Sequence, residues 1–197
     1  MDMNLGDTQL ILSHCRRAGL SIKHTAYVLA TAKWETNHTM KPVREAYWLS
    51  EEWRKKNLRY YPWYGRGYVQ LTWQENYIAA GRKLGLDLTS DPDEVMKPQT
   101  AARILVEGCK GGWFTTKKLS DYATYEDMRR VVNGTDKAKQ IADIARQYEA
   151  VLVGGARPAE KPVPVTDKVP ATAVASKTPL YVIGAIIAAV AAYLGFR

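Results

Sequence analysis

The stretch Tyr64-Gly65-Arg66-Gly67-Tyr68-Val69-Gln70-Leu71-Thr72-Trp73 decides how this chain is read. It joins two glycines, an arginine, three aromatics, a glutamine and a threonine in ten residues. A segment that only builds a core has no need of that mixture. A carbohydrate cleft does: flat rings lie against sugars, while amides and hydroxyls bind their hydroxyl groups. The glycines permit a tight turn. Two carboxylates upstream, Glu35 and Glu45, are placed to supply an acid and a base.

The 197 residues suffice for one domain of ordinary size. Twelve Tyr and six Trp stand against two Phe, a bias toward rings with a polar handle. The formal charge is +8; residues after 153 carry five basic and two acidic side chains, leaving +5 on residues 1–153. Such a domain favours a polyanionic surface. No Arg/Lys-rich recognition helix or nucleic-acid motif is present, so a nucleic-acid partner is not expected. Cys15 and Cys109 are too few for a disulfide framework, and neither lies in a CxxC spacing. His14, His24 and His38 are scattered, and neither a metal nor an organic cofactor is expected. Met1-Asp2-Met3-Asn4 lacks a basic n-region, so synthesis in the cytoplasm without an ordinary export signal is the expectation.

Residues 1–153 read as one mainly helical domain. Leu10, Ile11, Leu12 and Cys15 form a stripe in a first helix. Ser21 caps a second that runs into Glu35. Ser50 opens a short third helix, and residues 59–72 read as a hairpin or extended loop. Thr72-Trp73-Gln74-Glu75 matches a capping box for a helix through about Leu84. Pro92 and Pro98 open the next helical stretch, Thr124 caps another, and a last helix runs from about Asp136 to Val153. Residues 154–179 are rich in Pro and Ala and read as an extended linker. Leu180 to Phe196 then holds no charge. As a helix it spans about 26 Å, within the range of a transmembrane segment. Tyr181, Tyr193 and Phe196 place aromatics near its ends. Gly184, Ala188 and Ala192 form a small-residue face suited to pairing helices.

Glycosidic hydrolysis needs one carboxyl to protonate the leaving oxygen and another to activate water or attack the sugar. Glu35 ends an apolar helix beside Trp34, a setting that keeps a carboxyl protonated; the competing reading is an exposed helix-terminal Glu. Glu45 follows Arg44, which can hold it ionised as a base demands; the competing reading is a surface ion pair. Glu51 and Glu52 open a helix and gain from its dipole, which makes them weaker candidates. Thr72 is open to two roles, helix cap or active-site hydroxyl. Arg66 reads more readily as a brace for loop carbonyls than as a substrate contact. Trp63 and Trp73 suit core and cleft equally.

Trp34-Glu35-Thr36, Glu45, the Tyr64–Thr72 stretch, Asn76-Tyr77 and Val132-Asn133-Gly134 resemble, in order, the family 19 glycoside hydrolases. That family includes plant-type chitinases and phage endolysins of the lysozyme superfamily, and the likeness extends over about residues 25–135. The resemblance implies a lysozyme-like, two-lobed helical domain with a small β-hairpin, and inverting hydrolysis. It places the general acid on Glu35, the base on Glu45 and the water-holding hydroxyl on Thr72. Sugar-contacting amides fall on Gln70, Asn76 and Asn133, and Tyr64 or Tyr68 would line the cleft, with Arg66 beside them. The chain departs from the family at Trp34, where a histidine is usual, at Thr135, where a second glycine is common, and at Glu75, where the chitinases often carry tyrosine. These departures weigh against chitin more than against hydrolysis.

The expected function is therefore that of a phage endolysin, a muramidase cutting β-1,4 bonds between N-acetylmuramic acid and N-acetylglucosamine of peptidoglycan for host cell lysis. A lytic transglycosylase using Glu35 alone and a chitinase are the enzymatic alternatives. A membrane-anchored wall-binding protein is the non-enzymatic one. Residues 180–196 would hold the protein at the bacterial inner membrane after synthesis in the host cytoplasm, and lysis would follow on the periplasmic wall.

Overall fold

Helix α2 (Ile22–Glu35) is the spine of the domain, because it is apolar on nearly every face. Ala26, Tyr27, Val28, Leu29, Ala30 and Ala32 are all buried, and a helix without a polar face must be enclosed by others. In the computed structural model, which describes residues 1–155, α2 packs chiefly against α7 (Ala138–Gly154) and also meets α1 (Thr8–Arg17) and α5 (Pro98–Gly111). The short α6 (Tyr125–Met128) lies on α7. The other helices are α3 (Glu51–Asn57) and α4 (Gln74–Leu84), with 3-10 turns at Pro92–Met96, Leu119–Asp121 and Arg129–Val131.

Local signals set most helix starts. The Ser21, Ser50 and Thr124 side chains accept hydrogen bonds from the amides of His24, Trp53 and Asp127, filling donors that a helix N-terminus leaves open. Pro98 occupies the first turn of α5, where a missing N–H costs nothing. The Thr72 capping box does not form. Helix α4 begins at Gln74 after Trp73, whose φ of 76° turns the chain before the helix starts, and no side chain caps it.

The sheet has two antiparallel strands, β1 (Val43–Arg44) and β2 (Arg66–Gly67), with Val43 opposite Gly67 and Arg44 opposite Arg66. The hairpin or extended loop expected over residues 59–72 is present as a single local antiparallel bridge, Arg66 to Leu71, and β2 pairs in addition across α3 with β1. Arg66 and Leu71 exchange backbone hydrogen bonds and close the turn beyond β2. Gly67 has φ of 83°, and a Cβ there would approach the Val95 carbonyl to 3.2 Å, so glycine is required on both counts.

Two apolar clusters result. The larger gathers α1, α2, α5 and α7 around residues such as Tyr27, Leu29, Leu105 and Tyr148. The smaller holds Leu58, Tyr60 and Tyr64, with Trp53, Tyr61 and Trp73 against it, beneath the segment that carries Glu45. Trp63 packs on the large cluster and Trp73 on the small one. Among the described residues no helix is long and apolar enough to cross a membrane. The apolar run 180–196 and the linker from residue 156 lie outside the described residues.

Candidate active site

Glu35 is the last residue of α2, and the packing of that helix carries its carboxyl inside, where it is 4% exposed. Its partner is Arg129, at the start of the 3-10 turn after α6, whose Nη1 donates to Glu35 Oε1 at 2.9 Å. Arg129 is itself buried and donates through Nε to the Asp136 carbonyl at 3.0 Å. Burial pushes the Glu35 carboxyl above the ordinary carboxylate range and outweighs the opposing Arg129 charge. The C-terminal end of a helix dipole also disfavours a carboxylate. The sequence expectation of a raised pKa in an apolar setting therefore holds, but the setting contains a cation that the neighbours of Glu35 in sequence did not disclose.

Glu45 follows β1 directly and is also buried. The Tyr60 hydroxyl donates to its Oε1 at 2.6 Å and the Gly65 amide to its Oε2 at 3.0 Å. Arg44 is not its partner. The Arg44 guanidinium turns to Asp93 at 2.7 Å, because alternate residues of a strand face opposite ways. The loop after Glu45 is pinned from beneath by buried Arg54, whose Nη1 donates to the carbonyls of Ala46 and Leu49 at 2.8 and 2.9 Å. Ala46 has φ of 48°, and Asn37, His38 and Met40 after Glu35 have φ of 49°, 65° and 55°. Both carboxylates are thus followed by backbone in a region that non-glycine residues rarely occupy. Such conformations cluster at functional sites, where surrounding structure holds them. The two segments meet where Asn37 Nδ2 donates to the Tyr47 hydroxyl at 3.1 Å.

Beside Glu45 lies a small niche over Gly65. A Cβ at Gly65 would fall 2.8 Å from Gln70 Oε1 and 3.3 Å from both Glu45 Oε2 and Thr72 Oγ1. Gln70 spends its amide on the carbonyls of Val43 and Gly67, and so presents its oxygen. Thr72 donates its hydroxyl proton to the Gln70 carbonyl at 2.8 Å, leaving lone pairs. The niche is therefore lined by three acceptors. Gly65 itself has a negative φ; its lack of a side chain lets these three oxygens close in on the backbone rather than making the turn.

The remaining expected contacts fall in different places. Tyr64 is buried, its hydroxyl donating to Glu51 and its ring lying 3.6 Å from the Arg66 guanidinium carbon. Arg66 is a brace: it donates to the Pro62 carbonyl and to Asp93. The Tyr68 hydroxyl donates to Asp7 at 2.6 Å, away from both carboxylates in the hydrogen-bond pattern. Asn76 is buried in α4 and donates to the Thr72 carbonyl at 2.6 Å, anchoring the turn behind the niche. Asn133 is half-buried and accepts from the Gly134 amide. Hydrogen bonds from Arg54 and Tyr64 overcome a desolvation that acts the other way and hold Glu51 below its ordinary pKa, which unfits it as an acid. Sequence reasoning missed Arg129, Tyr60 and Arg54. Arg129 had a faint signal, the first of two arginines set between Met128 and Val131-Val132 just before Asn133-Gly134.

Residues 26–123 match the family model described as Chitinase class I, of the family 19 glycoside hydrolases. The chain carries a family 19 glycoside hydrolase domain. Over 40 residues it is 55% identical to an endochitinase of Arabidopsis thaliana, covering 20% of this chain and 14% of that protein. Over 86 residues it is 34% identical to Chitinase 5 of Oryza sativa subsp. japonica, covering 41% of this chain and 30% of that one. These matches span a minor part of the relatives' length. Chitinase C from Streptomyces griseus has a similar fold, with a TM-score of 0.53 at 22% identity, over 66% of this chain and 60% of that one. The family 19 domain thus has a mainly helical, lysozyme-like chitinase fold with a small two-stranded sheet. The matched span includes Glu35, Glu45 and Thr72; Arg129 and Asn133 lie beyond it.

Proposed function

We propose that this domain hydrolyses β-1,4 bonds between N-acetylmuramic acid and N-acetylglucosamine of peptidoglycan, as an endolysin. The observation that carries the reading is the unlike pair of buried carboxyls: Glu35, pushed up by burial, and Glu45, beside a niche lined by acceptors. One carboxyl that burial keeps protonated and a second that faces converging acceptors suit an acid and a base.

Glu35 in its neutral form keeps its proton on Oε2, because Oε1 accepts from Arg129. That proton goes to the bridging oxygen as the C1–O bond breaks. A water in the niche donates to the acceptors around Gly65, which turns a lone pair toward C1. Glu45 takes the proton as the new C1–OH bond forms on the opposite face, with inversion. Thr72 and Gln70 orient the water, while Asn76 acts behind them through the Thr72 carbonyl.

The positive charge of the chain supports a polyanionic wall as substrate. The apolar run 180–196 supports attachment to the bacterial inner membrane, with helix pairing through its small residues, before lysis of the host. Chitin is the second reading, favoured by the names of the relatives.

Product analysis tests the reading. Purified peptidoglycan treated with the parent should yield hydrated reducing ends, and Glu35→Gln should yield none. Anhydro ends would mark a transglycosylase, and soluble sugars from chitin with intact peptidoglycan a chitinase. Clearing of wall suspensions by Glu35→Gln at the parental rate would remove the acid from the mechanism.

A further inference from the structure

Tyr47 and Trp48 are left exposed, at 50% and 47%, whereas every other Phe, Tyr and Trp among the described residues is buried or half-buried. They follow Glu45 by two and three residues. Their rings meet edge to face, with centroids 5.1 Å apart at 84°. Exposed aromatics on a loose loop would mean little. These stand on a backbone fixed at three points: the left-handed Ala46, the Arg54 guanidinium beneath the Ala46 and Leu49 carbonyls, and the Leu49 amide donating back to Ala46 at 2.9 Å. The Tyr47 hydroxyl is held in addition by Asn37, two residues beyond Glu35. The pair is therefore pre-organised, and it sits at the junction of the two segments that carry the carboxylates.

We infer that Tyr47 and Trp48 form a sugar-stacking platform, on which Trp48 covers the apolar face of one pyranose ring of the glycan on the Glu45 side of the cleft. The inference rests on the hydrolase reading above. A sugar ring offers axial C–H groups that match a flat indole, and Trp gives the largest such face. Pre-organised rings lose little entropy on binding, so the contact is converted efficiently into affinity. Tyr47 sets the edge of the platform and, through Asn37, ties its position to the acid side.

Soluble, peptide-free peptidoglycan glycan strands serve as the probe. Binding is measured by calorimetry in the Glu35→Gln background, so that nothing is cut during titration. Trp48→Ala should raise Kd about tenfold or more, the scale of losing one aromatic anchor. Trp48→Phe should recover most of that loss. In the active background Trp48→Ala should raise KM by a similar factor while kcat changes less than about threefold. Because both side chains are exposed, the variants should keep the parental thermal unfolding curve, which shows that any loss is local. Parental Kd in Trp48→Ala would overturn the platform while leaving hydrolysis standing. If the Glu35→Gln protein binds no strands and the wild type cuts none, the hydrolase reading fails and the platform with it.

Discussion

Arg129 Nη1 donates to Glu35 Oε1 at 2.9 Å, joining the turn after α6 to the end of α2 across 94 residues of sequence. Both groups are nearly inaccessible. A buried pair of this kind is costly to break from one side, because the survivor is left charged and unpaired. Arg129→Met should therefore destabilise the domain in a pH-dependent way. At low pH the orphaned Glu35 is protonated and the loss is small. As pH rises through the elevated pKa the carboxylate must ionise alone, and the loss grows to about 3–5 kcal/mol. Urea unfolding at acid and slightly alkaline pH measures the difference; Arg129→Lys, which keeps the charge, should lie between.

The raised Glu35 pKa also fixes the shape of the activity profile. An acid that must be protonated loses function as pH rises, so the alkaline limb of kcat/KM should fall above the ordinary glutamate value of about 4.3. The same sign applies to stability. A folded-state pKa raised above the unfolded one gives stability that is fully present below the unfolded value and is lost as pH rises through the folded value. Wild-type stability should thus decline across that window, whereas Glu35→Gln should show no such component. An alkaline limb at or below the ordinary value would contradict the assignment of Glu35.

Gly65→Ala places a methyl group where the Gln70, Glu45 and Thr72 oxygens converge. The backbone accepts it, since φ at Gly65 is not left-handed. The expected result is a fall in kcat of about a hundredfold, the scale seen when reacting groups are displaced by an ångström. Strand binding should change little, and stability should fall modestly, because the buried Gln70 side chain must give way to the new methyl. Unaltered turnover in Gly65→Ala would show that no water is held there.

Tyr60→Phe removes the 2.6 Å hydrogen bond to Glu45 while keeping the ring against Trp73, 4.8 Å away between centroids. Tyr60 acts through Glu45 and is a positioning residue, so kcat should drop about tenfold, equivalent to about 1.4 kcal/mol of lost transition-state stabilisation. KM should stay near the parental value. A change in KM alone would assign Tyr60 to substrate contact instead.

What the sequence disclosed was governed by distance along the chain. Caps at Ser21, Ser50 and Thr124 act over three residues, and each is found where its pattern placed it. The Thr72 box has the same pattern and fails, because Trp73 takes a left-handed φ and Thr72 turns its hydroxyl to the Gln70 carbonyl. The two-stranded sheet was legible as extended backbone but not as a pairing with residues 43–44, which depends on the path of α3. Charge partners were the least legible. Arg44 stands next to Glu45 in sequence and serves Asp93, whereas Arg129 is remote from Glu35 and serves it. Gly65 was read as a turn former; its use is to leave space, which only the convergence of three side chains discloses.

The single guanidinium beneath the loop after Glu45 separates two properties that usually change together. Arg54 sets the path of the backbone through carbonyls, which every residue type possesses, and so it holds the loop whatever side chains stand on top. Positions 47 and 48 can then be exchanged as fittings on a fixed mount, with Glu45 undisturbed below. A library randomised at those two positions would sample glycan preference without sampling catalytic geometry, and it offers a route by which one scaffold could move between wall and chitin substrates.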